Sequence, residues 1–280
     1  MNISVITMTT PHLSFPECLE LYARAGVPGV GIIESMLTGD EGEVEAFRRS
    51  GLVTTSVIPV TGTFFPSPGV PGPEDLDERL DAISAAMRRT APFNPVCFTV
   101  ATGPLGGRTR EEARPIVVEA IARLAEEADA LGSTLALELM HPMLHELFSY
   151  LTALEEGVAL LDESGSSTAG LAVDFWHLAE EPDAVADLER HAGRIATMHV
   201  DDFREPTRSW VDRVLPGDGT LDIAGMLAAL DRGGYTGWFE LEILSDDGLF
   251  GNDFEDSLWK RDPFELVRDA KAKLLELGAA

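Results

Sequence analysis

Short apolar runs alternate along the chain with stretches in which apolar residues recur at helical spacing, and Gly or Pro usually separates the two. The runs Ile3–Met8, Gly29–Glu34, Leu52–Ile58, Val96–Ala101, Leu135–Met140, Leu171–Phe175, Ile195–Val200 and Trp238–Leu244 predict eight strands. Amphipathic helices are expected over Phe15–Ala25, Asp75–Arg89, Glu111–Leu131, Glu146–Asp162, Asp183–His191, Ile223–Asp231 and Pro263–Leu277. Gly26, Gly51 and Gly132 stand where a helix end needs positive φ. Strand–helix alternation without a hairpin signal implies parallel strands joined by crossovers.

Such a series closes naturally into a barrel, and 280 residues suit one (β/α)8 TIM barrel, expected as a single domain over residues 1–280. An open doubly wound sheet fits less well. Its first strand should lead into a Gly-rich phosphate turn, whereas Thr9-Thr10-Pro11-His12 follows here. Pro59–Pro73 and Ser245–Asp256 read as long loops at the strand C-terminal ends, the face where barrels build their active sites.

Composition narrows the function. With 21 Lys and Arg against 48 Asp and Glu, the formal net charge is −27, which disfavours nucleic acid and anionic membrane surfaces as partners. No apolar window is long enough to span a bilayer, and the start lacks the basic and apolar regions of a signal peptide, so a cytoplasmic location is expected. Cys18 and Cys97 offer neither a disulfide framework nor a zinc-binding pair and read as reduced core thiols.

Strand parity then picks out candidate chemistry. In Leu135-Ala136-Leu137-Glu138-Leu139 the leucines share one face; if they meet the helices, Glu138 points into the barrel. The same reasoning turns Asp174, His199 and Glu242 inward near the ends of the next three strands. Glu240 has the same parity as Glu242 but lies deeper, and Asp201 falls past its strand, where it would orient a ligand from behind. Three converging carboxylates repel unless they share a cation. Three oxygen donors with one imidazole and no thiolate suit Mn²⁺ or Mg²⁺, with Co²⁺ and Zn²⁺ as alternatives.

Further candidates surround this set. His177 lies three residues beyond Asp174, and His141 precedes the strand-ending Pro142. Arg213 introduces the turn Pro216-Gly217-Asp218-Gly219 in an acidic chain, and Glu34 ends the second strand. Each also has a structural reading, as a helix cap, a loop residue or a surface ion pair.

The stretches LALELMHPM, GLAVDFWHLAEEPD, HVDDFREPT, DRVLPGDGTLDI and GYTGWFELEILSDD, in that order, resemble the xylose isomerase-like barrel superfamily, in its sugar phosphate isomerase/epimerase branch. The N-terminal half is similar only loosely, through Ser14–Gly26 and Ala101–Gly107. The resemblance implies a divalent metal, most often Mn²⁺, on Glu138, Asp174, His199 and Glu242, with His177 and Arg213 at the family's histidine and arginine positions. It also implies a small polyhydroxylated carbonyl substrate, without a phosphate cradle in this chain, and a homodimer as a candidate assembly. The expected activity is isomerisation or epimerisation of a sugar, keto-polyol or related hydroxyketone through an enediolate. Glu138 and Glu242 would act as paired acid and base, with His141, His177 and Arg213 as substrate contacts. The alternatives are a dehydratase or lyase that eliminates water from the same kind of substrate, and a barrel that binds sugar without turnover.

Overall fold

The computed structural model describes residues 1–278. The expected span of 1–280 therefore ends two residues beyond the described ones. Seven parallel strands come first: β1 (Asn2–Ile6), β2 (Gly29–Ile33), β3 (Val53–Ile58), β4 (Cys97–Ala101), β5 (Thr134–Glu138), β6 (Ala169–Asp174) and β7 (Ile195–Val200). A short antiparallel pair, β8 (Asp202–Phe203) and β9 (Arg213–Val214), follows, and β10 (Trp238–Leu241) then closes the barrel in the order β1-β10-β7-β6-β5-β4-β3-β2. Around it lie α1 (Phe15–Arg24), α2 (Glu41–Ser50), α3 (Leu76–Thr90), α4 (Arg110–Ala130), α5 (Leu154–Ser164), α6 (Ala184–His191), α7 (Ile223–Arg232) and α8 (Pro263–Leu277). This is the (β/α)8 TIM barrel that the alternation predicts. Among the described residues no helix is long and apolar enough to cross a membrane.

The alternation inside each strand decides which residues reach the helices. Leu135, Leu137, Leu139, Leu171 and Val173 join the apolar layer between strands and helices, whereas Ala136, Ala172 and Cys97 form a separate small cluster. The interior is also marked by a contact that crosses it: Ser56 on β3 donates to Glu240 on β10 at 2.6 Å, although these strands are not neighbours in the sheet. Thr197 donates to the other Glu240 oxygen at 2.7 Å. Room for that carboxylate depends on Gly31, where a Cβ would lie 2.6 Å from Oε2. Burial pushes the Glu240 carboxyl up, and the Ser56 and Thr197 hydroxyls that serve it only partly offset this.

Three differences from the sequence expectation have physical causes. Helix α5 begins at Leu154 rather than Glu146. Residues 142–153 instead form a short 3-10 turn and a loop, in which Gly103 donates to Phe148 and Met140 donates to Leu151. The hairpin β8–β9 interrupts the crossover between β7 and β10, against the expectation of a chain without hairpins. Helix α2, not bounded from sequence, carries few apolar residues, and only Phe47 among them is fully buried.

Candidate metal centre and its cavity

Residues leaving the C-terminal ends of β5, β7 and β10 meet at one point. One ligand-type atom from each of Glu138, His199 and Glu242 lies within 4.8 Å of the other two. Glu138 Oε1 and Glu242 Oε2 each sit 3.1 Å from Nδ1 of His199. Despite those distances, neither ring nitrogen of this buried imidazole has a hydrogen-bond partner, so the oxygens lie off the ring N–H direction. Such a geometry fits donors arranged around a shared centre better than donors bonded to each other. Metal–ligand bonds of roughly 2.0–2.6 Å let two ligands of one ion lie up to about 4–5 Å apart, and the three atoms fall within 4.8 Å of one another. Two carboxylates and an imidazole without thiolate also match a hard or borderline divalent cation. The residues present therefore fit a metal ion.

The electrostatics point the same way. Burial raises the Glu138 carboxyl above its ordinary range, and Glu242 and Asp174 add to this while His199 opposes it. Burial disfavours a charge on His199, but Glu242 and Glu138 outweigh it and hold the imidazole well above its usual value. A cation placed between these groups would remove the conflict.

Asp174 stands apart from that triplet. Its Oδ1 accepts from the Trp176 N–H at 2.8 Å, and Oδ2 lies 3.7 Å from His177 Nε2. It nevertheless lines the same cavity as Glu138 and Glu242. His177 is buried, with Nδ1 2.9 Å from the Leu139 carbonyl. Because a carbonyl only accepts, Nδ1 carries the proton and Nε2 is left as an acceptor. Burial, reinforced by Arg213, holds this imidazole well below its usual value and therefore neutral.

Arg213, Asp201 and Trp176 form a buried unit, of which Arg213 reaches the cavity. The Arg213 Nε donates to Asp201 Oδ2, and its guanidinium carbon lies 3.3 Å from the Trp176 ring centroid. Burial pushes Asp201 well up, Asp174 adds to this, and Arg213 opposes it. On the indole lies His141, with ring centroids 4.5 Å apart and 11° between the planes. His141 does not reach the cavity: Nδ1 accepts the Met143 N–H, and Nε2 is 3.7 Å from Glu180. Trp176 was not singled out in the sequence; its place next to His177 in Asp174-Phe175-Trp176-His177 was the available signal. The turn after Arg213 wraps Asp202, which accepts N–H groups from Gly217, Gly219 and Leu221 at 3.0, 2.9 and 3.1 Å. A Cβ at position 219 would fall 2.2 Å from Asp202 Oδ1, so the second glycine of the turn is required by close approach.

The cavity measures about 340 Å³ and is lined by Glu138, Asp174, His177, Arg213 and Glu242 on one side. Across the barrel it is lined by residues of β2, β3 and β4 and of the segments that follow β1, β2 and β3, and residues after β5 and β10 complete it. Glu34 supports that wall from behind: it is buried, pairs with Arg89 and accepts the Val60 N–H at 2.8 Å. Arg79, which the sequence gave no reason to select, is 1% exposed and holds the loop after β3. It donates to Thr63 O, Pro73 O and Val70 O at 2.7, 2.9 and 3.1 Å. A broader hollow of about 620 Å³ opens at the opposite end of the barrel beside Asn2, Thr236 and Gly237, and among the described residues Asp231 is the one acidic group that lines it.

Comparison with known proteins agrees with this architecture. Residues 19–270 match the model of the family described as xylose isomerase-like TIM barrel. The chain is 28% identical over 166 residues to inosose dehydratase of Geobacillus thermodenitrificans, covering 54% of this chain and 53% of that protein. It is 28% identical over 158 residues to L-ribulose 3-epimerase of Mesorhizobium japonicum, covering 55% and 50%. The chain thus spans about half the length of these curated relatives. The crystal structure of the IOLI protein with a bound zinc atom has the same fold, with a TM-score of 0.80 at 18% identity over 100% of this chain and 98% of that one.

Proposed function

The chain belongs to the xylose isomerase-like TIM barrel family, and on that basis we propose that it is a divalent-metal-dependent isomerase or epimerase of a small hydroxy-carbonyl compound. The observation that carries this reading is the convergence of Glu138, His199 and Glu242 on one point, with Glu138 and Glu242 lining the cavity. Those three residues hold the ion, with Asp174 the candidate fourth ligand from the same wall. Mn²⁺ is the preferred ion for this donor set, and Mg²⁺, Co²⁺ and Zn²⁺ are its competitors. A protein of this fold crystallised with zinc supports the choice of a divalent metal.

When bound, such an ion polarises a ketone and its neighbouring hydroxyl and so acidifies the C–H beside the carbonyl. The chain supplies the rest. A carboxylate has two oxygens, so Glu138 and Glu242 would hold the ion and would still have an oxygen with which to exchange a proton with the substrate. One removes the proton from carbon, and the other returns a proton from the opposite side. Return to the same carbon inverts it; return to its neighbour, with the hydroxyl proton passing to the former carbonyl oxygen, moves the carbonyl. His177, neutral and with Nε2 free to accept, takes a hydrogen bond from a substrate hydroxyl. Arg213 offers a fixed positive charge to the oxygen on which negative charge develops.

A second reading, elimination of water from the same intermediate, is favoured by the similarity to a protein named inosose dehydratase. Proton NMR in D₂O separates the two. Deuterium appearing at carbon without loss of water supports isomerisation or epimerisation, whereas an unsaturated product supports elimination. A chain that neither binds a divalent ion nor turns over any hydroxyketone would instead be a binding barrel.

A further inference from the structure

The charged groups of the cavity all lie on one wall, and the opposite wall is aliphatic. Met8, Ile33, Ile58, Val60 and Val70 line it there, while Leu244 and Phe250 line it from the loop after β10, on the side of Glu242. Hydroxyls on that side come from Ser35, Thr63 and Thr99, and Thr63 is already engaged with Phe65 O and Arg79. No Lys, Asn or Gln lines the space. Beyond Ser35 and the unpartnered Thr99 hydroxyl, a chain of sugar hydroxyls placed against this wall would leave water without recovering its hydrogen bonds, a loss on the order of 1–3 kcal/mol for each unpaired group.

The apolar rim is built rather than incidental. Val60 and Phe250 are 39% and 42% exposed, yet each is held at its backbone by a buried charged side chain. Glu34 accepts the Val60 N–H at 2.8 Å, and Asp246 accepts the Phe250 N–H at 2.8 Å. Arg79 does the same for Val70 by donating to its carbonyl. Asp246 also accepts from Gly248 and Asn252, which folds the loop after β10 so that Phe250 packs edge-on to Trp210, with ring centroids 5.3 Å apart. Three buried ionic groups, Glu34, Arg79 and Asp246, thus hold the two loops after β3 and β10 so that apolar side chains stay at the mouth, exposed to water until something covers them.

Resting on the proposed metal-dependent chemistry, we propose that the substrate is a hydroxy-carbonyl compound with an apolar far end, an alkyl or aryl group rather than a fully hydroxylated sugar chain. The reacting carbonyl and hydroxyl lie toward Glu138 and Glu242, and the apolar end lies against Ile33, Ile58 and Val70 under Phe250. This narrows the polyhydroxylated substrate that the sequence resemblance implies.

Hydroxamates, which bind a divalent ion through two adjacent oxygens, provide the test. Binding of hexanohydroxamate and of 2,3,4-trihydroxybutanohydroxamate to the Mn²⁺-loaded protein would be compared by titration calorimetry. The apolar compound is expected to bind at least about tenfold more tightly, the advantage of removing two CH₂ groups from water. That preference should fall severalfold in Phe250→Ser and in Val60→Asn, both of which alter half-exposed positions that the core does not need. Equal binding, or a preference for the hydroxylated compound, would overturn the apolar assignment and leave the metal site standing. If neither compound binds, both the assignment and the metal-dependent reading fail.

Discussion

The Arg213 guanidinium lies 3.3 Å from the Trp176 ring centroid while its Nε donates to Asp201. All three side chains are nearly inaccessible to solvent. An arginine in this position satisfies a buried carboxylate and an aromatic face at once, and a lysine would not reproduce the planar contact.

Removing Arg213 should therefore damage more than substrate contact. Arg213→Met leaves Asp201 buried without its partner and is expected to cost about 3–5 kcal/mol in denaturant unfolding. Combining it with Asp201→Asn should restore part of that loss. If the double variant is no more stable than the single one, the pairing is not what holds the two groups.

Arg79 makes a different prediction because it touches no candidate chemistry. Arg79→Met frees the carbonyls of Thr63, Val70 and Pro73, and the loop after β3 should lose its fixed position. KM is expected to rise severalfold with a smaller change in kcat, and proteolysis within residues 59–73 should accelerate. Unchanged proteolysis would show that the loop is held by other contacts.

Asp212, which anchors the loop between β8 and β9, should contribute to acid sensitivity. Burial alone would raise this carboxyl, but the Arg208 and Arg204 guanidinium groups and the Arg208 N–H outweigh it and hold it below the ordinary value. A group depressed on folding stabilises the native state above its unfolded pKa, near 3.9 for Asp, and loses that contribution as pH falls through the folded value. Asp212→Asn should be less stable than the parent at neutral pH, and the difference should shrink below about pH 4. A difference independent of pH would contradict the ionic role.

For the proton-transfer proposal, Glu138→Gln is expected to lower kcat by a factor of about 100 or more while the fold is retained, the scale of losing a general acid or base. Far-UV circular dichroism and kcat read the two effects separately. Activity near the parent level would remove Glu138 from the chemistry.

The barrel and its inward-facing acids were legible in the sequence because period-two alternation in a parallel strand leaves few choices of face: once the leucines of β5 meet helices, Glu138 faces inward. The start of α5 was not legible. Leu144, Leu147, Leu151 and Leu154 keep helical spacing, yet Leu144 and Leu147 pack against Trp176 and Phe148 in a loop that bonds to Gly103. Arg79 looked like any helix-surface cation, since its partners are backbone carbonyls from a loop that sequence cannot place. Asp201 and Arg213 were each visible, but their pairing depends on the short hairpin β8–β9, whose strands are too brief to leave a pattern.

The central claim is that Glu138, His199 and Glu242 share one divalent cation, and Mn²⁺ titration of chelator-stripped protein followed by electron paramagnetic resonance tests it directly. One Mn²⁺ should bind per chain, and binding should weaken at least about tenfold in His199→Gln and in Glu242→Gln, the scale of altering a metal site's immediate environment. A stripped protein that binds no Mn²⁺, Zn²⁺ or Co²⁺, or that binds equally well in all three forms, would contradict the account.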